Sequence, residues 1–82
     1  DNLLGKRSGI YSLAVTIIEL WIGDIWYSGE TFKQCRNEVL KSLRVIEKNE
    51  LELGSFLRKC LNIDGNKRPS IQKIDNFFQN YS

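Results

Sequence analysis

Between Ser8 and Gly23 the chain reads SGIYSLAVTIIELWIG, and few folds accommodate such a stretch. Ten of the fourteen residues from Gly9 to Ile22 are apolar. The polar exceptions Ser12, Thr16 and Glu19 step by four and then three, so on a helix they share one narrow stripe. A helix that is apolar nearly all round belongs in an interior, because a surface helix shows a broad polar face. Ser8 is placed to cap its first turn, and Gly23 to take the left-handed position after its last. At about 1.5 Å per residue the helix is about 21 Å long, short of the roughly 30 Å of a bilayer core. The β-branched content also suits a buried strand pair. The pattern predicts a central, solvent-poor helix.

Three amphipathic segments follow. Thr31 and Gln34 have capping-box spacing, and Phe32, Cys35, Val39, Leu43 and Ile46 then recur every three or four residues. This predicts a helix from Thr31 to about Ile46. Lys33, Lys41, Arg44 and Lys48 fall on its other face, as a solvated stripe or as a surface for phosphate or an acidic partner. Asn49 and Glu52 repeat the capping signal before Leu53, Phe56, Leu57, Cys60 and Leu61. Gly54 costs that helix about 1 kcal/mol relative to alanine. Asn62 to Pro69 is a turn in which Asp64, Gly65 and Asn66 tolerate positive φ. Ser70 then caps a last helix with Ile71, Ile74, Phe77, Phe78 and Tyr81 as its apolar positions. Residues 1–7 are expected to be a loop, and Trp26 and Tyr27 a hydrophobic lid over a helix end. The predicted fold is all-α: a central buried helix with three amphipathic helices around it.

Eighty-two residues make one small domain or a piece of a larger one, and a chain of this size is marginal alone. A net charge of +2 is too small to imply nucleic acid as a partner, and no run is long enough to imply a membrane. Cys35 and Cys60 both fall at apolar helical positions, which favours buried thiols over a disulfide and suits an intracellular, cytoplasmic setting. Histidine is absent, so the commonest general base and metal ligand is missing, and no metal-ligand spacing occurs.

Ser8-Gly9-Ile10-Tyr11-Ser12-Leu13-Ala14-Val15, followed by Glu19-Leu20 and Gly23, resembles the protein-kinase pattern S-D-I-Y-S-L-G-V…E-L…G. Phe56 to Leu61, then Asp64, then Lys67-Arg68-Pro69-Ser70, is similar to that family's L-I-x-K-C-L-x-x-D-P-x-x-R-P-S. The resemblance covers residues 6 to 80 and implies the lower half of a kinase C-terminal lobe, with the first helix running through its middle. It also implies a second helix that ends before Ile46 and gives way to a loop. The phosphate cradle, its lysine, the catalytic Asp and the magnesium ligands of a kinase would all lie before this chain. The resemblance therefore implies no catalytic residue, metal or cofactor here, and ATP and magnesium only for an active parent.

Three positions carry the family's features. Gly9 stands where the pattern has an Asp that ties the helix to the catalytic loop, which makes it a lost-function position and points to a pseudokinase or a divergent active kinase. Restoring Gly9→Asp in the parent is expected to raise activity or stability. Arg68 matches an arginine that pairs with a glutamate outside this chain; pairing with Asp64, or solvation, is the local alternative. Arg68→Ala is accordingly expected to cost the isolated chain less than about 1 kcal/mol. Glu19 matches a position that contacts basic substrates in some kinases, or it simply belongs to the polar stripe.

The expected partner is the remaining kinase lobe, or another protein, held through the central helix. Some of Ile10, Leu13, Ile17 and Trp21 should then be uncovered, and an isolated chain should oligomerise, aggregate or be molten. The alternative reading is a free-standing helical protein-interaction module.

Overall fold

The computed structural model describes residues 7–23 and 31–81, which form four α-helices: α1 (Ser8–Ile22), α2 (Phe32–Asn49), α3 (Leu51–Cys60) and α4 (Ile71–Asn80). A single 3-10 turn, Gly65–Lys67, lies between α3 and α4. The fold is all-α, with no strand among the described residues. The expectations for residues 1–6 and for Trp26 and Tyr27 lie outside the described residues.

Several local signals act as the sequence predicts. Thr31 Oγ1 accepts from the Gln34 N–H at 3.2 Å while the Thr31 N–H donates to Gln34 Oε1 at 3.2 Å, closing the capping box at α2. Ser70 Oγ accepts from the Lys73 N–H at 3.3 Å and starts α4. Gly23 adopts φ 98°, and its N–H donates to the Glu19 carbonyl at 2.8 Å to end α1.

Others do not. Ser8 is the first helical residue rather than the cap; Arg7 takes the cap position in the left-handed region at φ 56°, ψ 38°. A non-glycine residue there costs roughly 1–2 kcal/mol, so something must hold it. Asn49 closes α2 instead of opening α3: its Nδ2 donates to the Val45 carbonyl at 2.8 Å. The continuous apolar face thus carries α2 three residues past Ile46, opposite to the early end that the kinase resemblance implies. In the turn before α4, Asp64 Oδ1 accepts from the Asn66 N–H at 3.0 Å, and this bend needs no positive φ.

The largest correction concerns the centre of the molecule. α2 and α3 make the most extensive helix pair, joined through the single residue Glu50, and α1 lies against both. Val39, Leu43 and Ile46 of α2 meet Leu53, Leu57 and Cys60 of α3 in the core. From α1 only Ile10, Tyr11, Ala14 and Ile18 are buried, a single face. Leu13 and Trp21 remain 37% and 48% exposed, and Leu20 81%. The hairpin of α2 and α3 satisfies its own apolar faces first, which leaves one seam for α1 and a second apolar stripe outside.

The close pairing of α2 and α3 depends on Gly54. A Cβ there would lie 2.5 Å from Glu47 Cγ, 2.7 Å from its Cα and 2.9 Å from its N, inside backbone that cannot move aside. Gly54 is therefore a contact point for two helices and not simply a helix-weakening residue. On the same edge Arg58 Nε and Nη2 donate to the Glu47 carboxylate at 2.6 and 2.9 Å in a two-pronged pair. This bond holds the Glu47 carboxyl below its usual range. A depressed carboxyl stabilises the fold above the unfolded value and loses that contribution as pH falls through the folded one, so the pair weakens in acid.

α4 docks through Ile74, which is buried, and through aromatic rings: Phe77 stacks on Phe56 with centroids 4.1 Å apart. Tyr81 OH donates to Glu50 Oε1 at the junction of α2 and α3, and that bond pushes the phenol up to about 12.

Gly54→Ala should lower stability by about 1–3 kcal/mol through overpacking, despite alanine's better helix propensity. Gly9→Ala, where nothing lies within 4 Å of the added methyl, should raise it by about 0.5 kcal/mol. Urea midpoints of the two variants check this. A stabilised Gly54→Ala would contradict the close approach.

Candidate functional site

The described side chains converge most tightly around Tyr11. Its ring is buried on the inner face of α1, and two guanidinium groups flank it. The Arg68 Cζ lies 5.1 Å from the ring centroid and the Arg36 Cζ 5.8 Å. Both distances fall within cation–π range. Phe32 packs a third side of the ring at 5.8 Å, tilted by 45°.

Arg68 is 1% exposed, the one charged residue in the core among those described. It sits after the 3-10 turn, where the backbone is extended and aims the side chain back under α1. Nε donates to the Asn62 carbonyl at 2.7 Å and Nη1 to the Arg7 carbonyl at 3.2 Å. Arg7 Nη1 in return donates to the Arg68 carbonyl. This exchange is what holds Arg7 in its left-handed conformation, and with it the entry to α1. The expectation that Arg68 could be solvated is thus overturned: the guanidinium takes up backbone carbonyls and an aromatic face inside this chain, where water is excluded.

Arg36 stands on α2 among the inward positions. Its Nη1 donates to the Leu61 carbonyl at 2.6 Å and to Tyr11 OH at 3.3 Å, tying α2 to the end of α3 and to α1. Sequence reasoning missed this residue, although its spacing of four from Phe32 and three from Val39 places it on the apolar stripe rather than with the lysines. Tyr11 was legible only as one more apolar position.

The other predicted residues lie apart. Gly9 is exposed in the first turn of α1 with open space where its side chain would be, so an aspartate fits there without a clash. Glu19 is partly buried on α1 about 15 Å from Gly9 by helical rise. Arg68 and Gly9 thus share the start of α1, and Glu19 lies at its far end.

Beside Tyr11 a groove of about 450 Å³ opens between α1 and α2. Tyr11, Ser12, Val15 and Thr16 line one side; Phe32, Cys35, Arg36 and Val39 line the other. The two cysteines differ. Cys60 is buried, and burial pushes its thiol up to about 11. Cys35 is only half-buried on the groove wall, which corrects the expectation that both are enclosed. Among the described residues no three His, Cys, Asp or Glu side chains gather as a metal site requires, and no helix is long and apolar enough to cross a membrane.

Comparison with family models, with characterised proteins and with solved structures finds no match to this chain.

Because Arg68 is a donor to two carbonyls inside this chain, Arg68→Ala should cost the isolated protein about 3 kcal/mol, not the small loss expected of an exposed pair. Arg68→Lys should recover less than half, since an ammonium cannot reproduce the fork. Chemical denaturation measures both; a loss under about 1 kcal/mol for Arg68→Ala would contradict the buried role.

Thiol labelling separates the cysteines. Cys35 should react under native conditions, and Cys60 only on the timescale of unfolding, as read by mass spectrometry of the labelled peptides. Equal rates would contradict the burial difference.

Proposed function

We propose that this chain is the C-terminal part of a protein-kinase-like domain, serine/threonine-like or a pseudokinase. Its role there is structural support for phosphotransfer or a surface for protein–protein interaction. The observation that carries this reading is the meeting of the two segments that bear the resemblance. Arg7 and Tyr11, at the start of the first segment, and Arg68, in the second, are 61 and 57 positions apart, yet they join through reciprocal bonds and a cation over a ring. In this reading the lobe needs that junction to fix where the helix begins.

The stripe of Leu13, Ile17, Leu20 and Trp21 supplies the partner surface. These positions recur at four, three and one residues and lie outside the core face, with Leu20 and Trp21 strongly exposed. The remaining lobe covers them in the parent, and removing such a stripe from water is the main driving force for that docking. Gly9 in this reading marks a weakened tie to the catalytic loop, and Glu19 a substrate-side contact. ATP and magnesium belong to the parent alone, and the setting is cytoplasmic.

A free-standing helical interaction module is the second reading. It is favoured by α2, which runs on to Asn49 instead of stopping early, and by a core that closes over Ile18, Leu43, Ile46 and Leu57 within the chain itself.

The sequence immediately preceding Asp1 in the messenger RNA tests the choice. The kinase reading expects H-R-D and D-F-G motifs upstream, or degraded versions for a pseudokinase; an initiator Met directly before Asp1 would overturn it. In solution the 82-residue chain should self-associate through the outer stripe, and Leu20→Lys should make it monomeric in sedimentation. A wild-type chain that is monomeric and strongly protected from amide exchange would instead favour the free-standing module.

A further inference from the structure

We propose that the groove between α1 and α2 receives an acidic amphipathic helix from a partner protein. The proposal does not depend on the kinase reading. The groove volume of about 450 Å³ lies in the range of built ligand sites, roughly 300–1,000 Å³. Its shape is a trough between two helix faces. From Phe32 to Val39 it extends about 10 Å along α2, enough for two side chains one helical turn apart.

Charge selects the occupant. Of the eight residues that line the groove only Arg36 is charged. The first turn of α2 has no acidic residue, and Lys33 stands beside the groove on that turn. The amino end of α2 adds the positive end of its dipole to the same place. Glu38, the first acid along α2, is already 3.7 Å from Lys41, and Glu19 is the one acid of α1. Arg36 spends Nη1 on Leu61 and Tyr11, while Nε and Nη2 make no bond among the described residues. A carboxylate next to an apolar pair therefore finds a cation at the groove wall and apolar rows beside it. A basic or purely apolar helix finds no such match.

Cys35 gives a direct readout because its thiol lies on the groove wall. The probe is a stapled helical peptide with two leucines four positions apart and a glutamate three positions beyond. It is added to the Leu20→Lys chain, in which the outer stripe of α1 no longer self-associates. Saturating peptide should slow Cys35 labelling by about tenfold and leave Cys60 unreactive. Exchanging the peptide's glutamate for lysine should weaken binding by about tenfold or more, equivalent to about 1.4 kcal/mol. Arg36→Gln should abolish the preference for glutamate. Since Arg36 also holds Leu61, Thr16→Glu serves as a second variant on the exposed rim and should repel the acidic peptide without disturbing the core. Equal affinity for the two peptides or an unchanged Cys35 rate would overturn the proposal. So would protection of Cys35 by a ten-carbon fatty acid and not by the peptide.

Discussion

A guanidinium shut away from water must be met by oxygen or by an aromatic face, and much of this molecule is arranged to meet Arg68. Its side chain runs from the turn before α4 to the start of α1, bonds the carbonyls of Asn62 and Arg7, and lies against Tyr11. Arg7 accepts an unfavourable backbone conformation as part of that bargain. The result ties the two ends of the described chain to one point, which helices of ten to eighteen residues would not achieve by apolar contact alone.

Two separate devices then set the rest. Gly54 lets α3 approach the backbone of α2 at Glu47, and the Glu47–Arg58 pair fixes the angle along the same edge. Arg36 spans from α2 to the end of α3 and to Tyr11, so the hairpin and α1 share one anchor. α4 is held more lightly, by Ile74, the stacked Phe56 and Phe77, and the Tyr81 bond to Glu50. The core is thus continuous from α1 to α3, while α4 closes one side. This ordering leaves the outer stripe of α1 and the groove beside Tyr11 as the two surfaces with apolar area to offer.

The helices were legible because each carries a periodic apolar face and three of the predicted terminal signals form as drawn, at Thr31, Gly23 and Ser70. What pattern could not decide is which helix lies innermost. α1 has the most apolar sequence, but burial follows the number of faces the neighbours can offer, and α2 and α3 offer theirs to each other. Gly54 looked like a defect because helix propensity takes no account of a backbone passing within 3 Å of where a Cβ would be. Arg68 was found through resemblance and Arg36 was not found at all. An arginine on an apolar stripe reads as a break in the pattern until its carbonyl partners, brought in from other helices, are in place.

The account's central claim is that Arg68 and Tyr11 act as one unit that joins the start of α1 to the turn before α4. A double-mutant cycle with Tyr11→Leu and Arg68→Ala, followed by urea denaturation, measures their coupling directly. The two losses should fall short of additivity by at least about 1 kcal/mol, as for a desolvated cation over a ring. Losses that add to within about 0.3–0.5 kcal/mol would show that the two residues stabilise the fold independently, and would contradict the account.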